Sequence, residues 1–201
     1  MNFLKEEKEV KYWDGKIYHP TIACGAFRSV ESFGFGEYKA KIKLPKGKNL
    51  WPSFWLSGDG PWPEYGEFDI LESWSGEHDY FVINNPHFPW IYPAYRTTTN
   101  VHYSKDGEHK SIGTRNVPLW KNWKSPSDNV LEYKLIWKED SAKFYINGRL
   151  IRETSGEPLE EINKRNPKMR IIFNVFSENP KFFDVNLETP MIIEDFSYIP
   201  F

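Results

Sequence analysis

Cysteine is almost missing from this 201-residue chain: Cys24 stands alone, so no internal disulfide can form, and no C-x-x-C or Cys/His cluster offers a structural zinc site. Stability has to come from packing. No run of about 18 or more apolar residues occurs, which excludes a membrane-spanning helix. A surplus of charge of either sign is lacking too. The 26 basic and 28 acidic residues leave a net charge of −2, without the basic excess that phosphate-backbone binding demands. Neither nucleic acid nor a membrane is an expected partner, and a monomer is expected. The N-terminus, MNFLKEEKEVKYWDG, is charged where a secretory signal would be apolar. No repeat, low-complexity tract or Gly/Ser linker divides the chain, so it reads as one domain over residues 1–201, with 1–15 an N-terminal extension to which no element is assigned.

What the chain has in plenty is aromatic side chains: nine Trp, eleven Tyr and fifteen Phe. A core of this size absorbs many of these but not every tryptophan, so some are expected along a surface groove. Most segments that can be typed are strands. In 35–44, Tyr38, Ala40, Ile42 and Leu44 share one face and Lys39, Lys41 and Lys43 the other, the two-residue period of a half-buried strand. Residues 130–137 alternate in the same way around Leu131, Tyr133, Leu135 and Trp137. Asn147-Gly148 between apolar runs predicts a type I′ hairpin. Further strands are expected at 66–74, 169–176 and 191–199, and a short helix at 158–166, opening with Pro158. Residues 84–96 and 117–127 read as long Pro-bearing loops, which would carry Trp90, Trp120 and Trp123. Many strands and almost no helix argue for an all-β fold, a two-sheet antiparallel sandwich.

The segment Glu67-Phe68-Asp69-Ile70-Leu71-Glu72 sets three acids inside an otherwise apolar strand. In a regular strand Glu67 and Asp69 share one face, while Glu72 would follow Phe68 and Ile70 into the core, a prohibitive place for an unpaired carboxylate. A β-bulge that absorbs one residue at the Ile70-Leu71 pair would return Glu72, and Trp74 with it, to the acidic face. Glu67 and Glu72 would then lie roughly 13 Å apart along the strand. Long side chains leaning together could bring the carboxyl groups near the roughly 5–5.5 Å used in retaining glycoside hydrolysis. Crowding favours keeping at least one acid protonated at neutral pH, so the trio could supply both a carboxylate and a proton donor. The competing reading is a solvated, inert acidic strand face.

Beyond the acids, Leu50-Trp51-Pro52-Ser53-Phe54-Trp55-Leu56 precedes them, and Cys24-Gly25-Ala26-Phe27-Arg28-Ser29 with Phe35-Gly36-Glu37-Tyr38 and Lys43-Leu44-Pro45 lies upstream. Tyr133 to Trp137 and Phe144-Tyr145-Ile146-Asn147-Gly148 lie downstream. Together these stretches resemble glycoside hydrolase family 16 in its bulged E-x-D-x-x-E form, over roughly residues 21–200. The resemblance implies a β-jelly roll with a cleft across its concave sheet, Glu67 as nucleophile, Glu72 as acid/base and Asp69 as auxiliary acid, with no catalytic cofactor. It implies an endo-acting, retaining hydrolase whose partner is a polysaccharide or oligosaccharide, and a secreted or periplasmic setting. Trp62-Pro63-Glu64-Tyr65-Gly66 is similar to laminarinase-like members and tilts the expectation toward a β-1,3-type glucan; agar, porphyran or carrageenan galactans are the alternative. A transglycosylase and a non-catalytic glycan-binding jelly roll also stay open. Trp62 and Trp74 are expected as platforms for sugar rings, with Trp51, Arg28, His102, Asn174 and Phe176 as further substrate contacts. Trp55 is expected in the core. Asp195 matches a position near a structural calcium on the convex side.

Overall fold

Alternation decides which way each strand faces. In β2 (Gly36–Lys43), Tyr38, Ala40 and Ile42 are buried while the intervening lysines stay at the surface. The same rule orders β8 (Leu131–Trp137), whose Leu131, Tyr133, Leu135 and Trp137 are all buried. The computed structural model describes residues 2–3, 10–11, 17–18, 22–23, 25–48, 50–74, 80–82, 91–93, 96–113, 115–117, 126–165, 167–177, 186–187 and 189–201. Trp90, Trp120, Trp123 and Cys24 lie outside this set, as do most of the two expected long loops and of the 1–15 extension. Ile91–Pro93 pairs with Tyr80–Val82.

The other strands of the two main sheets are β1 (Ala26–Arg28), β3 (Leu50–Gly58), β4 (Glu67–Trp74), β5 (Arg96–Lys105), β6 (Glu108–Ser111), β7 (Arg115–Val117), β9 (Ser141–Ile146), β10 (Arg149–Ser155), β11 (Met169–Ser177) and β12 (Ile192–Pro200). One antiparallel sheet has seven strands in the order β6-β5-β4-β3-β11-β1, with β7 also paired to β5. The second has five, in the order β10-β9-β8-β2-β12. This is the expected two-sheet sandwich, and the predicted strands agree with it to within a residue or two. Asn147 and Gly148 join β9 to β10 with φ of 47° and 74°, the left-handed pair a type I′ turn requires. The helix α1 (Glu157–Asn163) is a little shorter than predicted, with Pro158 in its first turn.

Between the sheets lies one aromatic-rich core. Trp137, Tyr38, Tyr133, Phe54, Phe68 and Phe144 are fully buried there. Phe54 stacks on Phe173 at 4.5 Å, and Phe68 lies 5.0 Å from Trp137. Side chains of this size stabilise by about 1.5–3 kcal/mol each on burial. The strand phase also corrects one expectation. Phe54 and Leu56 point into the core, so Trp55 between them points the other way, onto the outer face of the seven-stranded sheet.

The turn from β3 to β4 is held from behind by α1. Gly58 N–H donates to Gly66 O at 3.0 Å and Gly66 N–H to Pro63 O at 3.1 Å, while Arg165 pairs with Glu64 at 2.7 Å. Gly66 has φ +77°, and a Cβ there would come within 2.6 Å of the Ile162 side chain. Gly148 has a similar φ of +74° but open space around it. Gly66→Ala should therefore cost both left-handed strain and overpacking, about 2–4 kcal/mol, and Gly148→Ala about 1–2 kcal/mol. Urea midpoints at constant m-value would measure the difference, and equal shifts would contradict it.

Candidate active site

The site begins with one extra residue in β4. Along β3, Ser53 pairs with Glu72 and Phe54 with Leu71, but the next residue, Trp55, pairs with Asp69. Along β5, Thr98 pairs with Glu72 and Asn100 with Asp69, so the count slips on both sides at Ile70–Leu71. Phe68, Ile70 and Leu71 are all buried in the core. The two consecutive apolar residues turn inward together, and Glu72 comes out on the same face as Glu67 and Asp69. The predicted bulge is therefore present, and the three acids share the outer face of the seven-stranded sheet.

Neighbouring strands set the surroundings by register. His102 pairs with Glu67, and its Nε2 lies 3.2 Å from Asp69 Oδ2 and 3.8 Å from Glu67 Oε1. Asn100 Nδ2 lies 2.9 Å from the same Nε2, and His109 Nε2 lies 2.8 Å from His102 Nδ1. Trp62, on the β3–β4 turn, sets its ring 4.7 Å from His109 and 6.0 Å from His102, and is half exposed. On the other flank, Trp51 meets Phe176 edge-on at 6.4 Å. Trp55 Nε1 donates to Asn174 Oδ1 at 2.6 Å, and Asn174 Nδ2 is buried with no partner among the described residues.

Of the predicted site residues, Glu67, Asp69, Glu72, His102, Trp62 and Trp51 come together, with Asn174 and Phe176 beside them on β11. Trp74 ends β4 opposite Arg96, and its side chain lies outside the described set. Arg28 is on the same sheet but at its edge, opposite Ile172, where it pairs with Asp59 at 3.3 Å. Arg170 holds the same Asp59 at 2.7 Å. Asp195 sits on the other sheet opposite Lys41, and no group of three potential ligands forms around it among the described residues. Asn100, His109 and Trp55 were missed. A usable signal for His109 was the Asp106-Gly107 pair, whose φ values of 55° and 80° make a two-residue hairpin that folds His109 back opposite Ser104.

Burial governs the charge of Glu67 and Glu72. The Glu67 side chain is only 14% exposed and that of Asp69 5%. Burial pushes Glu67 up to about 9, assisted by the charges of Asp69 and Glu72 and by its hydrogen bond with Asp69, and opposed by the Trp62 indole. Burial pushes Glu72 up to about 8, with the charge of Asp69 adding to it and the Trp51 indole opposing it. The site thus retains protons through the neutral range on groups that would be fully ionised in water.

Two packed antiparallel sheets with strands in this order place the molecule among the β-jelly rolls. Within that class the chain belongs to glycosyl hydrolases family 16, whose model matches residues 1–181. It is 27% identical over 132 residues to the beta-1,3-glucan-binding protein of Penaeus monodon, covering 63% of this chain and 33% of that protein. It is 40% identical over 85 residues to a glucan endo-1,3-beta-glucosidase of Cryptopygus antarcticus, covering 39% and 31%. The chain thus spans about a third of the length of these curated relatives. Among solved structures, the fold is similar to a Bacteroides ovatus mixed-linkage glucan GH16 protein in complex with a G4G4G3G product, at TM-score 0.63 and 22% identity over 92% of this chain and 76% of that one. It is also similar to the catalytic domain of an endo-1,3-beta-glucanase (laminarinase) from Thermotoga petrophila, at TM-score 0.61 and 22% identity over 94% and 72%.

A carboxyl whose pKa is raised on folding holds its proton more tightly in the folded than in the unfolded chain. Its contribution to stability is complete below the ordinary glutamate range and erodes as pH rises toward about 9 for Glu67 and about 8 for Glu72. Glu72→Gln should therefore raise Tm progressively between pH 5 and about 8 relative to the parent, with little effect at pH 4. A Tm difference that is flat across this range would contradict the burial argument.

Proposed function

We propose that the protein is an endo-acting, retaining β-glycoside hydrolase acting on a β-1,3-type glucan. The observation that carries this reading is the bulge at Ile70–Leu71, which sets three largely buried acids together on one sheet face. A sugar chain lying across that face would meet Glu67 and Glu72 flanking the scissile bond. Glu67, as carboxylate, attacks the anomeric carbon while Glu72 gives its proton to the leaving oxygen. A glycosyl ester on Glu67 results. Glu72, now ionised, takes a proton from water, which attacks the same carbon and releases the product with its anomeric configuration retained. The raised pKa of Glu72 suits a group that must start protonated. Asp69 shares a hydrogen bond with Glu67 and can take up its proton before attack.

Trp62 and Trp51 offer aromatic faces on either flank, matching the apolar faces of glucose rings. No step in this scheme calls for a metal or organic cofactor. The choice of a β-1,3-type glucan is supported by the Cryptopygus relative and by the Trp62–Gly66 stretch. A second reading, a glucan-binding jelly roll without turnover, is favoured by the Penaeus relative. The buried, crowded acids weigh against it, because binding alone gains nothing from keeping three carboxyls in so costly a place.

Laminarin, mixed-linkage glucan, agarose, porphyran and carrageenan, offered in turn with reducing-end and product-size detection, test activity, linkage and endo mode together. Laminarin is expected to be cut internally, with the β-anomer appearing first by NMR. Glu67→Gln should lower kcat by about a thousandfold or more while oligosaccharide binding persists. Binding of laminarin by the parent protein with no cleavage would favour the second reading, and α-anomer as first product would exclude retention.

A further inference from the structure

The polar groups behind Asp69 define a hydrogen-bond order of their own, whose bearing on catalysis rests on the hydrolase reading of the site. Asn100 Oδ1 accepts the Val101 backbone N–H at 2.9 Å, which fixes the amide orientation and leaves Nδ2, a donor, facing His102 Nε2 at 2.9 Å. Turning the amide over would set its NH2 against the Val101 N–H. His102 Nε2 must therefore present its lone pair, so the ring proton sits on Nδ1 and is donated to His109 Nε2 at 2.8 Å. His109 accepts there and carries its own proton on Nδ1. Both rings are neutral in this order; burial and the neighbouring His102 hold the His109 pKa below the ordinary histidine value.

Asp69 Oδ2 lies 3.2 Å from the same Nε2 and is buried with no hydrogen-bond partner among the described residues. With its lone pair taken by Asn100, the unprotonated Nε2 offers a carboxylate at Asp69 no donor and sets a partial negative charge beside it, which favours the neutral acid there. Glu67 Oε1, at 3.8 Å, feels this nitrogen less. Burial alone would keep the proton of the Glu67–Asp69 hydrogen bond on Glu67; the unprotonated, partly negative Nε2 beside Asp69 Oδ2 favours the opposite order. The charged or titratable groups facing this chain are, among the described residues, Glu67, Asp69 and Glu72 from β4. Trp55 and Ser57 from β3 and Trp62 from the turn are neutral. Glu108 and Lys110, beside His109, pair with each other at 2.7 Å.

We propose that Asn100 and His109 lock His102 in the tautomer whose Nε2 accepts, and that this tautomer draws the shared proton onto Asp69 and leaves Glu67 as the ionised nucleophile. The proton leaves a Glu67 oxygen and binds an Asp69 oxygen, with the charge of the cluster unchanged. Asn100 and His109 are positioning residues that act through His102.

The test is NMR on the full chain labelled at histidine ring nitrogens and at Asp and Glu side-chain carboxyl carbons, for the parent, His109→Phe and His109→Gln. Phe keeps a ring against Trp62 but accepts nothing, whereas the Gln amide oxygen can replace the lost acceptor. In the parent, His102 Nε2 is expected to be unprotonated, and Asp69 to keep its acid-form carboxyl shift at pH values where Glu67 is ionised. His109→Phe should reverse the order of the two acids, and His109→Gln should restore it. In turnover, the acid limb of kcat/KM should move up by about one pH unit in His109→Phe, with roughly tenfold lower kcat/KM below it and an unchanged KM. A protonated Nε2 in the parent, or an acid order that Phe and Gln leave alone or shift alike, would overturn the proposal. These spectra need no substrate, so a parent that cleaves no glycan would fail the hydrolase reading without deciding this one.

Discussion

A single surplus residue in a paired strand is the constraint on which the site depends. β4 sits between β3 and β5, so it cannot drift, and its ladders on both sides fix where the slip falls. Ile70 and Leu71 both need the core, and a regular strand can bury only one of two neighbours. The bulge resolves that conflict by giving up a ladder position, and the same displacement carries Glu72 to the face where Glu67 and Asp69 already stand. Hydrophobic burial on one side of the sheet thereby sets a polar constellation on the other. Were the apolar pair accommodated without the bulge, the third acid would face Phe68 and Trp137.

Much of this was legible in the residues. Strand phases around Lys39–Lys43 and Leu131–Trp137 followed from alternation alone, the Asn147-Gly148 turn from its left-handed requirement, and the bulge from the impossibility of burying Glu72. Trp55 was expected in the core, whereas the phase of Phe54 and Leu56 turns it to the outer face. Asn100 and His109 escaped for another reason. Their importance lies in which strand lies beside which, at what register, and a linear reading does not bring residue 109 to residue 102 unless the Asp106-Gly107 turn is taken as a hairpin. Arg28 illustrates the reverse: its position on the sheet was foreseeable, its engagement with Asp59, itself held by Arg170, was not.

The aromatic residues divide between two tasks. Trp137, Tyr38, Tyr133 and the buried phenylalanines fill the space between sheets, where flat rings pack with few voids. Trp62, Trp51, Trp55 and Phe176 stand on the outer face around the acids. There they raise the cost of charge by excluding water, while the indole N–H groups of Trp62 and Trp51 offset part of that cost at Glu67 and Glu72. The turn that carries Trp62 is braced by Ile162 of α1 and by the Arg165–Glu64 pair just past that helix, so a helix remote from the acids contributes to where their aromatic wall stands.

His109 lies on β6, the outermost strand on its side of the sheet, whereas the carboxylates it is proposed to influence lie two strands inward. Interior β4 is committed on both flanks and backed by the core, and almost any exchange there disturbs packing. A rim strand carries no such burden. Acid strength at the centre can therefore be retuned from the periphery: lineages of this fold could adapt to acidic or alkaline surroundings by exchanging side chains on a peripheral hairpin, leaving nucleophile, proton donor and hydrophobic interior untouched.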